Sequence, residues 1–336
     1  MRYSTRPRPA YTLIELIVVI GIIALLASLT LSAVFRMQES RRESNTSIHL
    51  NKIQMELEKQ WKAKVSAISK ETPPDVIFEI TKNVDGTRDL ARAKALHMKL
   101  RLRQEFPQHF NEVFAPAPPL SFNNQTYIYA GKPMFKKAAG TPLTDAQGRC
   151  IENTPEAQSA ALLVLILSQG AGGSTTDVDT IARTKLMDYP QQGGGNISLK
   201  VFSDEWGNHM AFRRVADDDM TDVLTDLNQP PFVAAPPSPT PPTKADPQDP
   251  EGRLSLPANQ WGTAFGQNGK VLALSFLAQP DPTIRPYIKD PFLGVNRGPF
   301  VISAGKNGLF YQQNGAWEVD LDNLYSYRVG STGRGN

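Results

Sequence analysis

Tyr11 to Phe35 reads YTLIELIVVIGIIALLASLTLSAVF, and a single acid, Glu15, interrupts it. From Leu16 to Phe35 there is no charge at all. About 20 apolar residues suffice for an α-helix to cross a bilayer. A helix also satisfies its own backbone hydrogen bonds, so it is the natural form for this run in lipid. Residues 1–10, MRYSTRPRPA, are polar and proline-broken, with Arg2, Arg6 and Arg8 and no acid. A cleaved secretory signal has a shorter apolar core that ends in a small-residue cleavage site. A plain anchor fits the length but gives Glu15 no reason to be there. A carboxylate costs roughly 2.5–3.5 kcal/mol near the centre of a membrane helix and less near its end. An amine freed by a cut between Ala10 and Tyr11 would offset that cost.

The junction Ala10-Tyr11-Thr12-Leu13-Ile14-Glu15, with the apolar stretch behind it, resembles the class III signal peptide of type IV prepilins and type II secretion pseudopilins. The pattern is a short basic leader, a small residue, an aromatic residue, then T-L-I-E and uninterrupted apolar sequence. The resemblance implies that a prepilin peptidase cuts between Ala10 and Tyr11 and methylates the Tyr11 amine. It implies that Glu15 pairs with the amine of a neighbouring subunit during assembly. It further implies a single pass through the inner membrane, a soluble domain outside the cytoplasm, and an inner-membrane platform that assembles the subunits. Orientation rests on the resemblance alone: three Arg precede the span, and Arg36, Arg41 and Arg42 follow it. Two positions depart from the family. Ala10 stands where Gly is usual, and Ser32 stands where many members carry Pro, so the helix has no proline break there.

Beyond Met37 the chain becomes charged but keeps a helical rhythm. Ile53, Leu57, Trp61 and Val65 recur at four-residue spacing, with Ile48, Leu50 and Ile68 nearby, which is one apolar stripe on a charged helix. No Pro or Gly occurs between Gly21 and Pro73. One continuous helix over about 11–70 is the simplest expectation; an anchor followed by a separate soluble helix is the other. Pro73-Pro74 ends it. Residues 75–80, DVIFEI, are expected as a short strand, and Asp89–Phe106 as a second, basic helix, solvated with Leu90, Leu96, Leu100 and Leu102 partly buried; binding to anionic lipid or nucleic acid is the alternative for such a helix. Thr154-Pro155-Glu156 starts a third helix that stops near Gly170, too short to cross a bilayer and therefore a core helix. Residues 197–202, 211–215, 271–276, 299–303 and 324–329 are expected as strands.

These elements predict an α+β fold: a long N-terminal transmembrane helix as spine, and a C-terminal antiparallel β-sheet domain of the pilin-like kind. The expected divisions are the leader at 1–10, the membrane half of the spine at 11–35 and its soluble half at 36–72. An α+β part at 73–228, a Pro-rich insertion at 229–251 and a β-rich part at 252–336 complete the chain. The insertion holds nine of the 27 Pro and reads as a flexible or polyproline-like segment.

Composition narrows the chemistry. The 336 residues carry 36 Lys+Arg and 33 Asp+Glu, a formal net charge of +3, too small to imply a strong field for nucleic acid, and no nucleic-acid partner is expected. One Cys, Cys150, excludes an intrachain disulfide and a cysteine zinc cluster. His49, His97, His109 and His209 are scattered. Gly170–Ser174 and Gly193–Gly195 lack the G-K-[ST] of a phosphate loop and read as turns. Asp217-Asp218-Asp219 lacks the spacing of an EF-hand loop and reads as a helix N-terminus. Ser303-x-x-Lys306 has no accompanying K-T-G. No catalytic constellation is visible, and no enzyme activity is expected.

Two further segments resemble the major pseudopilin of type II secretion. Asp204-Glu205-Trp206-Gly207-Asn208 is similar to its D-P-W-G-N segment. Ile302–Gly308, followed by Val319–Leu324, is similar to its late S-A-G-P-D-G loop and acidic segment. In that family the late loop binds calcium, so the resemblance implies a calcium site at Asp320 and Asp322. Lys306-Asn307 replaces the family's P-D, which weakens such a site, and a hydrogen-bonded turn is the competing reading. The function expected is therefore a structural subunit of a type II secretion pseudopilus or related filament, with lipid and other pilin-like subunits as partners. The alternative is a membrane-anchored extracytoplasmic enzyme or binding protein with an unrecognised site.

Overall fold

The computed structural model describes residues 13–114, 120–122, 125–127, 132–144, 155–169, 177–214, 248–254, 256–277, 299–308, 311–313, 317–319 and 324–325. The chain forms two compact units, one up to Asn45 and one from Thr46 onward. Helix α1, Leu13–Ile68, supplies the first unit and opens the second.

In the first unit, every residue from Leu13 to Gln38 is exposed. α1 is long and apolar enough there to cross a membrane. Its hydroxyls are satisfied from within. Ser28 Oγ donates to the Leu25 carbonyl at 2.8 Å and Ser32 Oγ to that of Leu29 at 2.9 Å. Thr30 Oγ1 donates to Ala27 at 3.0 Å. Each hydroxyl is thereby spared an unsatisfied state in an apolar solvent.

In the second unit α1 buries one stripe: Thr46, Leu50, Ile53, Leu57, Gln60, Trp61 and Ile68. Val65 is half-buried and Ile48 points outward. Short helices follow at Asp75–Ile80 (α2), Leu90–Glu105 (α3), Phe110–Phe114 (α4), Pro133–Ala139 (α5), Pro155–Gln169 (α6), Val178–Ile181 (α7) and Gly269–Leu277 (α8). The strands are Leu120–Phe122 (β1), Gln125–Tyr127 (β2), Thr184–Pro190 (β3), Asn196–Phe202 (β4), Met210–Arg213 (β5), Thr263–Ala264 (β6), Gln267–Asn268 (β7), Phe300–Ser303 (β8), Tyr311–Gln313 (β9), Trp317–Val319 (β10) and Leu324–Tyr325 (β11). All described pairings are antiparallel. β3 and β4 form a hairpin from Thr184↔Phe202 to Pro190↔Asn196. Its turn uses Gly193, Gly194 and Gly195, all at positive φ, where a Cβ would be strained. β8 is the centre of a three-stranded sheet, flanked by β5 and β11. A long apolar N-terminal helix with small antiparallel sheets is an α+β fold.

Two hydrophobic cores form. The larger packs the α1 stripe against α6, the β3–β4 hairpin, β5 and Val301 of β8. Trp61 meets Phe106 with ring centroids 5.0 Å apart. Polar ties cross the same seam: Gln54 Nε2 donates to the Pro299 carbonyl at 2.8 Å, and Gln60 Nε2 to that of Leu167 at 3.3 Å. The smaller core joins Val76, Ile77 and Ile80 of α2 to Leu96 and Leu100 of α3, and to Leu254, Trp261 and Ala273. α3 serves both cores, since Leu102 belongs to the larger.

Three expectations are corrected. Residues 75–80 are helical because Val76, Ile77 and Ile80 then share one buried side, whereas a strand would split them between two faces. Residues 269–277 are helical, with Asn268 Oδ1 accepting the Lys270 N–H at 2.9 Å as a cap does. Gly269 fits there because a Cβ would come within 2.1 Å of the Ile80 carbonyl oxygen. α3 buries Leu96, Leu100 and Leu102 as expected, but Leu90 is exposed and its basic face is not solvated throughout, since Arg92, Lys99 and Arg103 are buried. The leader at 1–10 and residues 229–247 lie outside the described residues, as do Asp217–Asp219, Cys150 and 170–174.

Arg92 is the polar pin of the smaller core. Its guanidinium donates to the carbonyls of Thr81 at 3.2 Å, Lys82 at 3.4 Å and Gln260 at 3.4 Å. It also stacks 4.5 Å from the Trp261 ring centroid and pairs with Asp89 at 3.5 Å. Removing one partner of a buried pair typically costs about 3–5 kcal/mol. Arg92→Leu is expected to lower stability by about 3 kcal/mol, read by chemical denaturation with Trp fluorescence; a loss below about 1 kcal/mol would mean that Arg92 is not a pin.

Candidate functional site

Two of the segments singled out in the sequence meet in space. The turn Asp204–Asn208 leads into β5, and the loop Ser303–Gly308 leaves β8. The register Met210↔Ser303 places the two side by side. A bridge between Ser203 and His209 closes the turn. Within it, Asp204 Oδ1 accepts the N–H groups of Trp206 at 3.1 Å and Asn208 at 2.7 Å. Asp204 Oδ2 accepts the Ser303 hydroxyl at 2.7 Å. Ser303 Oγ in turn accepts the Gly305 N–H at 3.1 Å, and Asn208 Nδ2 donates to the Gly305 carbonyl at 2.7 Å. Lys185 of β3 closes the outer side on the Gly207 carbonyl.

The site also touches α1. Thr46 Oγ1 accepts the Glu205 N–H at 3.2 Å, and His49 Nδ1 lies 3.9 Å from Glu205 Oε1. The turn thus holds β5, β8 and the first turn of α1 in the second unit together. No local signal in the sequence announces this: Thr46 and Glu205 are separated by 159 positions.

Electrostatics mark the junction as a buried tether. Burial pushes the Asp204 carboxyl above its ordinary value, against the pull of the Ser303 hydroxyl and the two turn amides. Burial lowers His209 to about 4, with Lys185 adding to the effect. Burial also lowers His49, with Glu205 opposing. Ser303 and Asp204 are both fully buried, and no imidazole stands between them. A serine hydroxyl donated straight to a buried carboxylate is a structural hydrogen bond, not an activated nucleophile.

Calcium was implied by resemblance at the late loop. Of its described groups, Ser303 Oγ and the Gly305 carbonyl are already spent on Asp204 and Asn208. Asp204 turns its carboxylate inward to three donors. Among the described residues no three acids, His or Cys gather as a cation cage. Asp320 and Asp322, the two acids named for the ion, lie outside the described residues, as do Ala10 and Tyr11. Glu15 lies on the exposed first turn of α1.

Comparison of the chain with family models, with curated proteins and with solved structures finds no match.

Asp204→Ala would leave the Ser303 hydroxyl and two backbone N–H groups without their acceptor. The expected loss is about 2–4 kcal/mol, measured as a lowered midpoint of unfolding. The same midpoint in the parent protein is expected to ignore both EDTA and millimolar calcium. A calcium-dependent rise that disappears in the double variant Asp320→Ala and Asp322→Ala would instead establish the ion, because a ligand that binds only the folded state must stabilise it.

Proposed function

We propose that the chain is a structural pilin-like subunit. A prepilin peptidase removes residues 1–10, cutting between Ala10 and Tyr11 and methylating the new amine. The mature chain sits in the inner membrane through α1, with its second unit outside the cytoplasm. An inner-membrane platform then draws it from the bilayer into a type II secretion pseudopilus or related filament. The reading requires no cofactor beyond a calcium ion at Asp320 and Asp322, should one bind there, and expects no nucleic acid.

The observation that carries it is the junction Ala10–Glu15 running straight into a helix with apolar side chains exposed on every side. A plain anchor needs only the apolar length. A carboxylate in the first turn serves an anchor poorly, because lipid gives it no counter-charge. It serves a polymerising helix well, because a neighbour's amine both neutralises it and sets the stagger between subunits. The meeting of the Asp204 turn with the Ser303 loop lends further support, since these are the two segments outside α1 that resemble a pseudopilin.

Glu15→Ala separates assembly from processing. In native membranes the variant is expected to lose its leader and stay membrane-bound, while cross-linked multimers disappear. Cross-linked multimers at the parental level would remove Glu15 from assembly.

A further inference from the structure

The corner where α3 ends, α4 turns and β5 leaves the sheet holds an unusual density of buried charge. Glu112 of α4 sits between two arginines. Arg214, just past β5, grips it with both nitrogens at 2.7 and 2.9 Å, and Arg103 of α3 approaches at 3.3 Å. Glu112 also accepts the Gln108 N–H at 2.6 Å. Arg214 reaches back to the Phe106 carbonyl at 3.1 Å. Beside it, Arg213 pairs with Glu156 of α6 at 2.9 Å. Gln158 of α6 accepts the Phe110 N–H at 3.0 Å, fixing the start of α4.

His109 immediately precedes α4 within this corner. It is 1% exposed, and neither ring nitrogen has a hydrogen-bond partner among the described residues. The charged groups that act on it are Arg103 from α3, Glu112 from α4, and Arg213 and Arg214 from the end of β5, with Glu156 of α6 paired to Arg213. Among the described residues three guanidinium groups face two carboxylates here, so a proton on the buried imidazole would add to an excess of positive charge.

We propose that His109 is an acid-sensitive release for this corner, neutral while the body is closed and able to take a proton only when α4 separates from the arginines. Glu112 does not compensate, because its two arginines hold it ionised down to about 2. The sign follows from linkage. Burial lowers the folded His109 to about 3, against an ordinary value of 6.5, so the open state binds more protons between those limits. Stability is intact above the ordinary value and is lost as pH falls toward the folded one. Glu112 stays ionised through that range, so acid acts on the histidine before it.

The test uses the full chain in detergent. Deuterium exchange at the imidazole C2 position, resolved for each histidine by mass spectrometry, reports protonation without any mutation. His109 is expected to show no titration step between pH 7 and 5 in the folded protein, and an ordinary step in urea. A folded-state midpoint near the ordinary value overturns the proposal. As a second measurement, the unfolding constant is followed from pH 7 to 4.5 in the parent and in His109→Phe. The parent is expected to rise about seventyfold more than the variant, the ratio that the two His109 values give over that interval. Equal rises in the two proteins overturn the proposal; should the variant not fold, the exchange midpoint decides alone.

Discussion

An apolar side chain with no protein against it needs lipid or another chain, and α1 presents such side chains on every side from Leu13 onward. Fully burying a Leu, Ile or Val is worth roughly 1.5–3 kcal/mol, and this stretch is long and apolar enough to cross a membrane. The same helix changes character near Thr46. From there, only one stripe is apolar, and that stripe is the floor of the larger core. One element thus has an apolar stretch exposed on every side and a second stretch with a single buried stripe. Within the larger core, α6 and the β3–β4 hairpin cover the stripe from Leu50 to Ile68.

The covering layer is held in register by buried polar groups rather than by apolar contact alone. Asp204 joins the turn before β5 to the loop after β8. Glu112 joins α3, α4 and the end of β5. Arg92 joins α2, α3 and the segment around Trp261. Each ties positions far apart in the sequence: 204 to 303, 112 to 214 and 92 to 260. A buried charge pair adds little net stability compared with good apolar packing, but a half-made one is costly. Misaligned alternatives are therefore penalised, which suits a body assembled from many short elements.

The parts legible in the sequence were those with a long or strict pattern. A run of apolar residues and a four-residue stripe leave few structural choices, so α1 and its buried face were readable. The hairpin turn was readable from three consecutive glycines. Short apolar runs were not: DVIFEI at 75–80 fits a strand or a helix equally until its neighbours choose. The basic residues of α3 misled because burial of Arg92 and Arg103 depends on Asp89 and Glu112, the latter placed by a separate helix. The junction of Thr46, His49 and Glu205 had no local signal of any kind, since contact at such separation is set by the fold alone.

The central claim is that this chain is a processed subunit, and the mature N-terminus tests it most directly. The protein is extracted from native membranes, digested, and its first peptide sequenced by mass spectrometry. The account predicts an N-methylated Tyr11 as the first residue, with residues 1–10 gone. A chain that still begins at Met1, or one cut beyond the apolar run, would contradict it and leave α1 as a plain anchor or a signal.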